Sequence, residues 1–178
     1  NYRAIRAKLE AKGHVFASET DTEAVARLVG EYYKGDLRKA VIAALRQVEG
    51  AYGIAVISAD EPGRIVVARK GSPLVIGVGE GECLVASDPS ALIAHTRRVI
   101  YLDDGDVALV TADSVDITDL DHAPKDRDVA ELDLLPRAAT DGHGTQLLFG
   151  LKLPFHANLQ HIQGRLDRSG VLNRILLA

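Results

Sequence analysis

Tryptophan and methionine are absent from these 178 residues, and cysteine occurs once, as Cys83. A single cysteine rules out any internal disulfide, and it fits a reducing, cytoplasmic setting. Aromatic residues amount to only 4%. Any core must therefore be built from Val, Ile, Leu and Ala. No apolar run approaches the roughly 20 residues that a membrane-spanning helix needs. The first residues read as a polar helix and not as a signal peptide. An excess of basic charge is also lacking: the net charge is −4. That total favours neither nucleic acid nor an anionic membrane as partner. Position 1 is Asn and not Met, so the expectation is that this chain is part of a longer reading frame.

What is present reads as helices first and strands afterwards. Tyr2, Ile5 and Leu9 recur at helical spacing, with Gly13 as a stop. Val15–Ala17 reads as a short strand. Thr20-Asp21-Thr22-Glu23 has the spacing of a capping box, with Glu23 three residues after Thr20. Val25, Leu28, Val29 and Tyr32 carry a helix to about Lys34. Leu37, Val41, Ala44, Leu45 and Val48 mark another, closed by Gly50. From Ala51 the period changes to short β-branched runs at 51–58, 64–69, 74–78 and 82–87, separated by turn clusters. These connections are too short for crossover helices, so antiparallel pairing is expected. Asp88-Pro89 begins a brief helix. Strand patterns return at 97–101, 106–111 and 114–118. The fold class is α+β, with helices layered on antiparallel sheet. The last part differs: after position 135 there are five basic and two acidic residues, against an acidic excess before it.

Few residues stand out as chemistry. Asp21, after a strand-like run and at a helix start, is first of all a cap. The functional alternative is that it accepts charge-assisted hydrogen bonds from a ligand ammonium group. Gly77-Val78-Gly79-Glu80-Gly81-Glu82 has Glu82 where the G-x-G-x-x-G spacing of a phosphate loop needs its third glycine, and it lies between strands, which makes it a hairpin turn. Asp103, Asp104 and Asp106 miss the calcium-loop spacing. They read as a solvated turn, as do Asp113, Asp116, Asp119 and Asp121. His143, His156 and His161 lack zinc-ligand spacing, and no metal or cofactor is expected. No Gly-x-Ser-x-Gly elbow exists. Cys83 lies in an apolar strand and reads as a small buried hydrophobe.

Several ordered strings carry a resemblance. They are Asn1-Tyr2-Arg3, Ser18-Glu19-Thr20-Asp21-Thr22-Glu23, Gly50-Ala51-Tyr52-Gly53 and Ala68-Arg69-Lys70-Gly71-Ser72-Pro73-Leu74. Ala86-Ser87-Asp88, Thr96-Arg97-Arg98 and Gly105-Asp106-Val107-Ala108 continue the series. On these, residues 1–133 resemble the class II glutamine amidotransferase (glutaminase) domain of the glutamine–fructose-6-phosphate aminotransferase family. The resemblance implies an N-terminal-nucleophile hydrolase type α/β/β/α sandwich with antiparallel sheets, here the later part of the domain without its first strands. It implies glutamine as substrate, with fructose 6-phosphate handled by separate isomerase domains. It also implies a homo-oligomeric parent enzyme. In that family an N-terminal Cys attacks the glutamine amide with its own amino group as base, and an Asn-Gly pair supplies the oxyanion hole. Of the family's functional residues only the aspartate that holds the substrate amino group has a match, Asp21. No catalytic residue is therefore assigned, and the chain by itself is expected not to hydrolyse glutamine.

Residues 134–178 match neither the family's linker nor its isomerase domains and are left unassigned, as a frameshifted or diverged tail. Two other readings stay open. One is another class II amidotransferase, such as the amidophosphoribosyl type. The other is a non-catalytic binding or scaffold domain that kept the fold.

Overall fold

The computed structural model of the chain describes residues 1–132 and the backbone of 148–152 and 174–177. Three helices come first: α1 (Tyr2–Glu10), α2 (Asp21–Tyr32) and α3 (Leu37–Leu45). Each buries an apolar stripe at helical spacing. Ile5 and Leu9 do so on α1, Leu28 and Val29 on α2, and Leu37, Val41 and Leu45 on α3. The starts of α2 and α3 are capped by Thr20 and Asp36, whose side chains accept from Glu23 N and Lys39 N. Satisfying a free N–H of the first turn in this way is what such residues supply.

The strands are β1 (Tyr52–Ile57), β2 (Ile65–Lys70), β3 (Val75–Val78), β4 (Glu82–Ala86) and β5 (Arg98–Tyr101). They continue with β6 (Val107–Val110), β7 (Val115–Thr118), β8 (Ala130–Glu131), β9 (Leu148–Lys152) and β10 (Arg174–Leu177). They form two five-stranded sheets, β10-β1-β2-β6-β7 and β8-β5-β3-β4-β9. Every pairing between these strands is antiparallel.

Side-chain alternation stacks the layers. Ile54, Val56, Val66 and Ala68 face the helices. Ala55, Ile65 and Val67 face the second sheet, meeting Ile76, Cys83, Val85 and Ile100. The first sheet is thus apolar on both faces, which is why its strands read as unbroken β-branched runs. Each fully buried side chain of this kind, Ile54 or Val67 for example, is worth about 1.5–3 kcal/mol. The outer face of the second sheet carries Val75, Leu84, Ala86 and Val99, covered by Leu92 and Leu132.

Two expectations need correction, and a third is refined. The run 15–17 forms no strand, and Val15 is 79% exposed. The brief helix expected at Asp88-Pro89 is present as a single 3-10 turn, Pro89–Ala91, capped by Asp88. Nor does every short connection join two paired strands. β2 and β3 follow each other in the chain yet lie in different sheets, as do β5 and β6. The crossings lie at Gly71, in a left-handed conformation at φ 72°, and at Gly105, at φ 91°. A turn cluster looks alike whether the next strand pairs with the last or leaves for the opposite layer.

Candidate functional site

Asp21 is the first residue of α2, and it borders a cavity of about 100 Å³. The cavity lies between the helices and the start of β1. Tyr2 and Ile5 of α1, Thr22 and Val25 of α2, and Tyr52 and Ile54 of β1 line it, with Asn1, Leu45, Val48, Glu49 and Ala51. The volume equals a few water molecules and falls below the roughly 300–1,000 Å³ of a drug-sized site. Two carboxylates, Asp21 and Glu49, sit on otherwise mostly apolar walls, a setting that suits the cationic head of a small polar molecule.

Local folding explains the geometry. Thr20 has extended backbone and its hydroxyl accepts from Glu23 N at 3.2 Å. Asp21 then starts the helix, and its Oδ1 accepts from Thr22 N at 2.8 Å. Its side chain is exposed and open to a ligand. The opposite rim is set by Asn1. Its Nδ2 donates to Gln47 O at 2.8 Å, and its Oδ1 accepts from Glu49 N at 3.1 Å. Those bonds hold the chain leaving α3 against the start of α1. Tyr52 is 6% exposed, and burial, then the nearby Asp104 charge, raises its phenol above the ordinary tyrosine range.

The approach to Asp21 is held by a carboxylate. Glu23 accepts from Ala17 N at 2.8 Å, Ser18 N at 2.6 Å and Ser18 Oγ at 2.7 Å. It also pairs with Arg27 at 3.1 Å. Burial would push its pKa up, but the bonds from Ser18, Ala17 and Arg27 outweigh that and hold it at about 2. The capping-box spacing named Thr20 and Glu23. It gave no sign that Glu23 reaches past the cap into the loop.

The other candidates lie elsewhere. Cys83 is buried between the sheets, its Sγ 3.7 Å from Ala112 O, and burial raises its thiol above the ordinary range. A thiol so placed is inert. Asp106 is 2% exposed and held by Arg127 through two bonds of 2.8 Å. Asp103 pairs with the same Arg127, and Asp104 with Arg69 and Gly71 N. Asp103 and Asp104 stay exposed, as a solvated turn implies, whereas Asp106 is buried in an ion pair. Asp116, Asp119 and Asp121 pair with Arg38, Lys125 and Arg46. The 77–82 segment is the β3–β4 hairpin, as its composition suggested. His143, His156 and His161 lie outside the described residues. Among the described residues no group of three His, Cys, Asp or Glu could hold a metal, and no helix is long and apolar enough to cross a membrane.

Comparison with known proteins places the chain, a two-sheet antiparallel sandwich, in a class. The glutamine amidotransferase domain family matches residues 1–94, and the chain belongs to that family. Within it, the chain is similar to glutamine–fructose-6-phosphate aminotransferases (isomerizing). One from Thermus thermophilus is 50% identical over 142 residues, covering 80% of this chain and 23% of that protein. That of Idiomarina loihiensis is 44% identical over 178 residues, covering 97% and 29%. The chain thus spans about a quarter of the length of the curated relatives it matches. Among solved structures, the glutamine phosphoribosylpyrophosphate amidotransferase of B. subtilis superposes with a TM-score of 0.58 at 23% identity. That match covers 67% of this chain and 27% of that one. At such identity the likeness concerns the fold, which is the α+β, N-terminal-nucleophile hydrolase type that the sequence resemblance implied.

Proposed function

We propose that this chain carries the glutamine-recognition part of an enzyme that transfers the amide nitrogen of glutamine to fructose 6-phosphate, giving glucosamine 6-phosphate and glutamate. The observation that carries the reading is the position of Asp21. It lies within the family-matched residues and borders a small cavity at a helix start. Its carboxylate accepts the α-ammonium group of glutamine, a charge-assisted contact worth about 1.5–3 kcal/mol. Residues 1–133 carry the amidotransferase part; 134–178 are given no role in glutamine recognition, although β9 and β10 from this stretch pair with β4 and β1. Sugar-phosphate chemistry belongs to isomerase domains of the parent enzyme, a cytoplasmic homo-oligomer.

No residue of this chain is given the role of nucleophile. Its one thiol is buried between sheets, so the chain binds glutamine without hydrolysing it. Calorimetric titration of the 178-residue chain with L-glutamine tests this. Asp21→Asn should weaken binding by about 10- to 100-fold. Equal affinities for the two forms, or release of glutamate by the chain, would overturn the reading.

A further inference from the structure

We propose that Glu23 is a positioning residue for Asp21: its carboxylate fixes the loop 17–20 and thereby sets where the Asp21 carboxylate stands at the cavity. The idea rests on the proposed role of Asp21 as the ammonium acceptor. The loop from Gly13 to Thr20 joins no sheet, so no ladder of backbone bonds holds it. Side chains hold Ser18 instead, each at a different atom. Glu23 takes its N–H and its hydroxyl, and Arg6 Nη1 donates to its carbonyl at 2.7 Å. The Ser18 hydroxyl also meets Thr20 Oγ1 at 2.9 Å, which ties the clamp to the helix cap. Just before it, the Phe16 ring has the Arg6 guanidinium 4.6 Å and the Arg27 guanidinium 5.5 Å from its centre.

In an ordinary capping box the acid at the third helical position returns to the backbone N–H of the cap residue. Here that residue would be Thr20. Its N–H points instead to Ser18 Oγ, at 3.4 Å. Glu23 passes the cap and takes the N–H groups two and three residues earlier, at Ser18 and Ala17. The segment is folded back over the first turn of α2, and Asp21 sits at the fold. The helix does not need this contact in order to form. The backbone N–H of Glu23 donates to the Thr20 hydroxyl, whatever side chain residue 23 carries. Charge-assisted acceptors are the strong ones, so the neutral amide of Glu23→Gln loosens the loop while leaving the cap.

The test uses the 178-residue chain in two arms. Without ligand, NMR compares the Asp21 side-chain carboxyl and the Ala17, Ser18 and Thr22 amides in the wild type and in Glu23→Gln. The expected result is that these move while amides of β2 stay in place. An unmoved Asp21 carboxyl overturns the proposal, whether or not glutamine binds. With L-glutamine, Glu23→Gln should weaken binding about tenfold. It should add nothing in the Asp21→Asn background, because it acts through Asp21. Equal losses in both backgrounds would make Glu23 a general stabiliser and overturn the proposal. If the wild type and Asp21→Asn bind alike, the reading of Asp21 fails, and the ligand-free arm still decides on Glu23.

Discussion

At the scale of single residues, charge placed against backbone N–H groups matters more than charge placed in water. Glu23 is the clearest case, with its side chain 16% exposed and its pKa held at about 2. Its ordinary value is 4.5. Folding therefore lowers its proton affinity, and its stabilisation is complete only above about pH 4.5. It is lost as pH falls from there through about 2. The difference in urea midpoint between the wild type and Glu23→Gln should be widest above pH 4.5 and close toward pH 2. A gap that stays constant with pH would refute the assignment. Asp36, Asp88 and Asp119 are shifted down as well, so only the comparison of the two forms isolates Glu23. The helix start at Asp21 was legible in the sequence because Thr20-Asp21-Thr22-Glu23 has the capping-box spacing. The clamp was not, since the spacing says that Glu23 can turn back and not how far.

At the scale of elements, two ion pairs of similar appearance should differ greatly. Arg38 and Asp116 join α3 to β7, but Asp116 is 58% exposed, and such a pair is worth about 0–1 kcal/mol. Arg127 instead meets Asp106 at the start of β6, where the carboxylate is 2% exposed. Asp106 also accepts from Asp103 N at 2.8 Å, so it anchors the crossing between the sheets. Arg127→Ala would leave a buried charge without its cation, and should cost about 3 kcal/mol. Arg38→Ala should cost less than about 1 kcal/mol. Denaturant midpoints of the two variants decide the matter, and similar losses would contradict it. Helices and strand positions were readable because burial imposes period 3.6 or unbroken β-branched runs. Which sheet each strand joins was not. Gly71 and Gly105 mark turns at the crossings, and Gly63 and Gly81 mark turns inside hairpins. The residue type is the same in both.

At the scale of the whole molecule, the question is how the two sheets end. β1 and β4 are buried almost throughout, a pattern of interior strands. Their outer sides are taken by strands from late in the chain. Ile54 stands opposite Leu177 in one sheet, and Leu84 opposite Gly150 in the other. Edge strands that are long, flat and apolar recruit other chains. A form ending at residue 132 should accordingly self-associate, read as a concentration-dependent increase in mass by light scattering. A monomer that melts as cooperatively as the 178-residue chain would show that β9 and β10 contribute nothing to closure.

The one sulfur atom of the protein lies in the seam between the layers. Cys83 faces Val67, Ile76 and Ile100 in the same cluster, at 1% exposure. A thiol reagent reaches it only when the sheets part, and no second cysteine competes for the label. The rate of its modification is therefore a clock for opening of the sandwich. It can be read without adding any probe to the chain.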